Sequence, residues 1–289
     1  MSEDILFQYY LVVFLDHLGQ RRILRQISGL PTSDDEKHEF YSLIKETLGR
    51  VSVLRDSFKQ YFDGEKNYKT NVNLVPPEHR EEFVASQKSE AYFYGMSDAV
   101  IIAVPLMSTD ENCTAINGVF SAFAATCGLG LLSLSAKVVI LGGIDVGVAT
   151  TIEDKEIYGP GFERAYYIES QLAEYPRFVV GHELINYIMG VENQQCSSRL
   201  GLVAKEIAQF CKKMIIRDSD GRYMLDFLGT KAKEVAVESI DSEIVKNALD
   251  FIKSQYEQFS KENNEKLASR YYRLLRYFNS RLSVWGIES

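Results

Sequence analysis

Two aspartates stand where carboxylates rarely occur without a positive partner. Asp16 closes the apolar run 11–15, and Asp98 lies at the tip of a predicted strand-turn-strand, 91–96 followed by 100–105. Burial and mutual repulsion disfavour two ionised carboxylates at the ends of buried strands unless a cation lies between them. Mg²⁺ and Mn²⁺ are held by one or two carboxylates together with substrate phosphates. The pair therefore predicts a site for two Mn²⁺ or Mg²⁺ ions that acts on a phosphorylated substrate.

The elements that must carry these acids are a strand and a hairpin. Residues 7–16 predict a buried strand that ends at the acid and turns at Gly19. The patterns that follow predict the order strand, helix, hairpin, helix, strand, helix, strand, helix, hairpin. This order is typical of an α+β fold with a ferredoxin-like βαββαβ core and a mostly antiparallel sheet covered by helices. We predict one domain over residues 1–229 and a C-terminal helical extension over 230–289.

Composition and charge exclude several classes of protein. The chain has 289 residues, 46% of them hydrophobic, which is enough for a substantial core. A net charge of -8 argues against binding nucleic acid through a broad basic surface. Four widely spaced cysteines without a C-x-x-C pair, and an acidic N-terminus without a signal-like layout, predict reduced thiols in a cytoplasmic protein.

One uncharged stretch, residues 118–135, is long enough to cross a bilayer. It is rich in Ser, Thr, Gly and Ala, and the only basic residue close to it is Lys137. These features favour a helix buried under the sheet over a membrane span, so we expect no membrane partner.

Four short segments between residues 11 and 180 form an ordered set of motifs. They are Phe14-Leu15-Asp16-His17-Leu18-Gly19, Ser97-Asp98, Gly142-Gly143-Ile144-Asp145-Val146-Gly147, and Tyr158-Gly159-Pro160-Gly161-Phe162 with Ala165 and Glu169. The first two resemble the two metal-aspartate motifs of the class III nucleotide cyclases, the fold shared by adenylate and guanylate cyclase catalytic domains. The third resembles that family's glycine-bracketed strand, and the fourth resembles the start of the helix that follows it.

The chain departs from that family at three positions, and a fourth carries an acid, as in many adenylate cyclases. Glu163 and Tyr167 stand where the family has an asparagine and an arginine that steady the ribose and the triphosphate. Tyr94 replaces the lysine that selects purine bases, and Glu156 falls on the other base-reading position. With both metal acids kept and the base pocket changed, the resemblance is closest to the bacterial Pycsar pyrimidine cyclases. Those enzymes make cyclic CMP or cyclic UMP during phage infection, and the messenger activates a separate effector.

The resemblance implies a two-metal conversion of CTP or UTP to its 3′,5′-cyclic monophosphate and pyrophosphate, as a second messenger of antiphage defence. Asp16 and Asp98 would be the catalytic metal ligands, joined by the carbonyl of His17. It also implies a head-to-tail homodimer in which residues 156–167 of one copy face the Asp16 of the other. The implied nucleotide-binding residues are Gly19, Arg21, Tyr94, Glu156, Glu163 and Tyr167.

A missing arginine removes a group that stabilises developing negative charge on phosphate. Arg21 and Arg22 follow the Gly19 turn, and Arg164 and Arg177 lie near the predicted third helix, so each is a candidate replacement. The alternative for each is a solvated surface arginine.

Two other functions stay open at this point. A catalytically inactive cyclase fold that binds nucleotide or regulates a partner would explain the changes at Glu163 and Tyr167. A palm-type polymerase or cyclic-dinucleotide synthase also carries an acid on a hairpin. It uses paired acids, however, whereas Asp98 is followed by Ala99.

Overall fold

The fold is described from a computed structural model. It describes residues 6–19, 29–67, 76–81, 89–106, 116–152, 155–195, 199–236 and 240–288.

The first half of the chain forms a βαββαβ unit. Its six elements are β1 (Gln8–His17), α1 (Asp34–Asn67), β2 (Tyr92–Met96), β3 (Ala99–Pro105), α2 (Ile116–Ser135) and β4 (Ile140–Ile152). The strands lie in the order β2-β3-β1-β4, and every neighbouring pair among them is antiparallel. The predicted α+β class and the predicted order of these six elements are confirmed.

The second half extends the sheet on the β4 side. Its elements are β5 (Glu156–Tyr158), α3 (Pro160–Tyr167), a π-helical turn (Ile168–Leu172), β6 (Phe178–Val180), α4 (His182–Asn193), α5 (Arg199–Lys213), β7 (Ile215–Arg217) and β8 (Tyr223–Leu225). The sheet continues in the order β4-β6-β8-β7, and β5 pairs with β4 alone. Because β6 runs parallel to β4 while the other pairs are antiparallel, the sheet is mixed.

The sequence did not predict α4. The predicted order has one helix between the last single strand and the final hairpin, whereas the described chain has α4 and then α5 there. The first residue before α4 is Gly181, which offers no side-chain cap to the helix. The start signal that sequence reasoning looks for is therefore missing locally.

Alternate residues of β1 face two separate cores. Leu11, Val13 and Leu15 belong to a large cluster with α1 and α2, and Val12 and Phe14 belong to a smaller cluster under α3. Helices therefore cover β1 on both faces, which explains why its sequence is continuously apolar and does not alternate.

The uncharged helix α2 is a core helix. It is long and apolar enough to cross a membrane, but 83% of its most apolar window is buried inside the fold. The predicted buried helix is confirmed, and the fold is compatible with a soluble protein. Cys127 on α2 and Cys211 on α5 are free and buried, as predicted for reduced thiols, while Cys113 and Cys196 lie outside the described residues.

The C-terminal extension consists of α6 (Thr230–Val235), α7 (Ser242–Lys261) and α8 (Glu265–Asn279), followed by a 3₁₀ turn (Leu282–Trp285). The Tyr277 hydroxyl donates to Oδ1 of Asp226 at 2.8 Å, and the indole Nε1 of Trp285 donates to the carbonyl of Leu228 at 3.0 Å. Val245 and Phe278 belong to the same hydrophobic cluster as the β1 core. The division at residue 229 stays a prediction.

Arg177 joins the β7–β8 hairpin to the end of the π-helical turn that follows α3. Its guanidinium is fully buried, pairs with Asp218 and Asp220, and donates to the carbonyl of Leu172 at 2.9 Å. It also lies 4.6 Å from the centre of the Tyr175 ring. Arg177 is therefore neither a surface arginine nor a group available to a triphosphate, and both sequence interpretations of it are wrong.

We expect Arg177→Met to destabilise the protein by about 1–3 kcal/mol, because Asp218 loses its paired cation and Asp220 keeps only its more exposed partners Arg222 and Arg273. Urea unfolding at neutral pH measures this change. Arg276→Met, at an exposed position on α8, is the control and should change the free energy of unfolding by less than about 0.5 kcal/mol.

The pH dependence gives a second readout of the same contact. Burial opposes ionisation of Asp218 and Asp220, but hydrogen bonds from Tyr175 and Arg177 outweigh it and lower the pKa of both carboxyls. This stabilisation is complete above about pH 4 and is lost as the pH falls through the lowered pKa values. An acid-unfolding profile of Arg177→Met that parallels the wild type would contradict the assignment.

Candidate active site

The pairing of β1 with β3 brings the two predicted acids to one end of the sheet. Asp16 lies directly opposite Ala99, and Asp98 is the residue before Ala99 in the β2–β3 turn. The turn has two residues, and Ser97 takes a positive φ of 58°, which is typical of tight hairpin loops. Cα atoms of directly opposed residues lie about 4.5–5.5 Å apart. The backbones of Asp16 and Asp98 are therefore neighbours although 82 residues separate them in sequence.

Both acids are buried. The exposed fraction is 9% for Asp16 and 3% for Asp98, and Oδ2 of Asp98 has no hydrogen-bond partner within the described part of the chain. A buried carboxylate oxygen without a donor is costly, and a bound divalent cation would offset that cost. The donor set therefore fits Mg²⁺ or Mn²⁺.

His17 lies next to the acid pair but on the opposite face of the sheet from Asp16. Its side chain is 5% exposed and lines a cavity beside α1. Burial lowers the pKa of His17, and the negative charge of nearby Asp98 acts in the opposite direction. Over the described ranges, no group of three or more His, Cys, Asp or Glu side chains is arranged to hold a metal ion. A site here would use two carboxylates and the substrate's own oxygens.

The turn after β1 has the form that the sequence predicts. The Leu18 amide donates to the carbonyl of Val139 at 2.9 Å, and Gly19 takes a φ of 94°, which favours glycine. Arg21 and Arg22, which follow, lie outside the described residues.

The other four predicted nucleotide-binding residues lie in two parts of the fold: three are on or under α3, and one is at the far end of β4. Tyr94 is buried on the α3 face of β2, and Tyr167 is 51% exposed at the end of α3. Glu163 lies in the first turn of α3. Glu156 is exposed and pairs with Ile152, at the end of β4 that is remote from Asp16.

Glu156 lies far from Asp16 along the sheet. Asp16 pairs with Leu141 of β4, eleven positions from Ile152, a distance of about 35 Å along a strand. The structure therefore does not bring Glu156 and Asp16 together within one chain.

Gly143 and Gly147 allow α3 to lie directly on β4. A Cβ on Gly143 would lie 2.2 Å from the carbonyl oxygen of Ala165, and one on Gly147 would lie 2.7 Å from the Cα of Gly161. These two glycines are therefore positions where α3 approaches the strand backbone closely. The contact also holds Tyr166 over β1, with its ring centre 5.3 Å from that of Phe14, two residues before Asp16.

Asp145 is a buried residue whose position sequence reasoning did not use. It is 2% exposed, and its Oδ1 accepts from the amide of Leu184 at 2.8 Å in the first turn of α4. Oδ2 lies 3.3 Å from Nε of Arg164, and a Cβ on Gly181 would lie 2.2 Å from the carboxyl carbon. Asp145 thus caps α4 from 39 residues away. The sequence signal for such a residue is an acid inside a glycine-bracketed apolar strand.

Arg164 is half-buried and bound within the fold. Its NH2 group donates to the carbonyl of Val146 at 2.6 Å, and its Nε pairs with Asp145. The interpretation of Arg164 as a solvated surface arginine is wrong, and its contacts hold it against β4.

No family model matches the sequence, and no curated protein matches it. The chemistry assigned to the site therefore rests on the residues and on their positions in the fold.

We expect Gly143→Ala to destabilise the protein by about 1–3 kcal/mol, because the added methyl group meets the backbone of α3. Urea unfolding measures the change. Gly190→Ala is the matched control: its Cβ meets nothing within 4 Å on α4, and alanine should stabilise that helix by about 0.5–1 kcal/mol. Equal stability of wild type and Gly143→Ala would show that α3 is not seated on β4 as described.

Asp145→Asn tests the buried cap through pH. Burial raises the pKa of Asp145, and backbone donors together with Arg164 offset only part of that effect. The wild type should therefore lose stability as the pH rises through the raised pKa. The asparagine keeps an acceptor for the Leu184 amide, so its stability relative to wild type should increase with pH. Unfolding free energies measured from about pH 4 to pH 8 check this, and a difference independent of pH would refute it.

Proposed function

We propose that this protein is a nucleotide cyclase that converts CTP or UTP to its 3′,5′-cyclic monophosphate and pyrophosphate. The observation that carries the proposal is the β1–β3 register, which puts two buried acids, Asp16 and Asp98, beside each other at one end of a βαββαβ sheet. Paired carboxylates of this kind hold the divalent ions of phosphoryl-transfer sites.

Asp16 and Asp98 would hold two Mn²⁺ or Mg²⁺ ions, with the carbonyl of His17 as a further ligand. When bound, the ions supply Lewis acidity that lowers the pKa of the ribose 3′-hydroxyl and neutralises charge on the triphosphate. In the reaction the 3′-oxygen bonds to the α-phosphorus, the bond to the β-phosphate oxygen breaks, and the hydroxyl proton passes to solvent. Gly19, which has a positive φ and open space where a Cβ would lie, leaves room for the leaving phosphates at the end of β1.

Two features support a pyrimidine substrate and a second copy of the chain. Tyr94 lies on the same face of the sheet as Phe14 and Asp16, in place of a purine-selecting lysine. Glu156 lies about 35 Å along the sheet from its own chain's Asp16. A head-to-tail homodimer would supply it from the other copy. A cytoplasmic location and a separate cyclic-nucleotide-activated effector in antiphage defence belong to the same proposal.

A second candidate is a catalytically inactive cyclase fold that binds nucleotide or regulates a partner. It is favoured by Glu163 and Tyr167, which put an acid and a phenol where the resembled family has an asparagine and an arginine. Neither side chain supplies the positive charge that stabilises a pentavalent phosphate. The buried acid pair opposes this candidate, because an inactive fold has no need to keep it.

Incubation of the purified protein with each of the four ribonucleoside triphosphates and Mn²⁺, followed by chromatography, tests the proposal. We expect cyclic CMP or cyclic UMP, and a loss on the order of 100-fold or more in Asp16→Asn and in Asp98→Asn, because each removes a charge that the transition state requires. Asp34→Asn, at an exposed acid in the first turn of α1, is the control and should keep full activity.

Two other results would contradict the proposal. Product that persists in both variants would show that the acids are misassigned. Saturable nucleotide binding in equilibrium dialysis, without product from any nucleotide, would establish the inactive binder in place of the cyclase.

A further inference from the structure

A cavity of about 460 Å³ lies between α1 and the C-terminal half of α2, beside the end of β1. Its apolar wall includes Leu54 of α1, Leu132 of α2 and Val138 in the segment before β4. This volume is typical of pockets that bind small organic molecules. The cavity lies on the α1 face of the sheet, whereas Asp16 lies on the α3 face.

The polar part of the cavity carries a net positive charge. Among the described residues that line it, Lys45 and Arg50 are basic and only Glu46 is acidic, and Glu46 accepts from the NH2 group of Arg50 at 2.5 Å. His17 closes the end nearest the sheet, is 5% exposed, and has an Nε2 atom without a hydrogen-bond partner among the described residues. A ligand that gives a hydrogen bond to His17 and an anionic group to Lys45 would satisfy both.

We propose that this cavity binds an amphipathic organic anion, with an apolar body against α1 and α2, an acidic group at Lys45, and a hydrogen-bond donor at His17. Apolar burial supplies the affinity, and the polar groups fix the orientation. The site is separate from the place proposed for the triphosphate, and binding there does not require the protein to be a cyclase.

The cavity is also connected to the acid pair. His17 follows Asp16 directly in β1, and the charge of Asp98 acts on its ring. An occupant that contacts His17 therefore lies next to the end of β1 that carries Asp16, on the other face of the sheet.

The probe for the test is anilinonaphthalene sulfonate, which has an aromatic body, an N–H donor and one anionic group, and whose fluorescence rises on burial. The purified full chain is titrated with it as wild type and as Gly49→Leu. Gly49 lines the cavity, and a Cβ there meets nothing within 4 Å, so the new side chain enters open space without a clash. Gly190→Leu on α4 is the matched control, since that glycine is also helical with open space at its Cβ.

We expect one probe per chain in the wild type and in Gly190→Leu, with a dissociation constant raised at least about 10-fold in Gly49→Leu. Lys45→Glu should weaken binding in the same direction, whereas Lys246→Glu, on the exposed surface of α7, should not. Decanoate should displace the probe, and decylammonium should not.

Two results would overturn the proposal. One is Gly49→Leu binding the probe as tightly as the wild type does. The other is decylammonium displacing the probe as well as decanoate does, since that would exclude charge recognition by Lys45. Thermal unfolding of each variant shows whether the fold is kept, and nucleotide turnover is measured separately, so loss of one activity is not mistaken for loss of the other.

Discussion

The register between β1 and β3 is the constraint on which the site depends. It sets Asp16 opposite Ala99 and so places Asp98, in the adjoining turn, beside it. A shift of one residue would move every side chain of β1 to the other face, and the close packing of differently shaped side chains in two separate clusters opposes that shift. The register is held by two hydrophobic clusters, one including Leu15 and the other Phe14. Core packing thus positions two buried acids that would otherwise repel each other.

A second set of contacts joins the sheet extension to this unit. Backbone contact at Gly143 seats α3 on the sheet, and Asp145 caps α4 and pairs with Arg164. Both residues lie in one short segment of β4, so that strand carries the joint between the two halves of the chain. Arg177 makes a comparable contact at the β7–β8 hairpin, where its buried guanidinium pairs with Asp218 and Asp220. Breaking one partner of such a contact leaves a buried charge uncompensated, which makes the arrangement specific.

Because β1 is covered on both faces, its last two side chains serve different surroundings. Asp16 lies on the face under α3, near the aromatic pair of Phe14 and Tyr166. His17 lies on the other face and lines the cavity beside α1. The alternation of side chains along a strand therefore gives one strand end two sites, the acid pair and a small-molecule cavity, separated by the thickness of the sheet.

Sequence patterns alone determined the α+β class, the βαββαβ order and the tight turn at Gly19. These features depend on local hydrophobic periodicity and on the conformational freedom of glycine, and both are determined by residues close together in the sequence. The sequence also nominated Asp16 and Asp98 as a pair. Only the tertiary structure decided that their backbones are neighbours and that α4 is capped by a distant carboxylate. It also decided that Arg177 is buried within the fold and does not face a ligand. Those outcomes rest on contacts between residues far apart in the chain, and the energies that set them come from burial and pairing, which a local pattern does not contain.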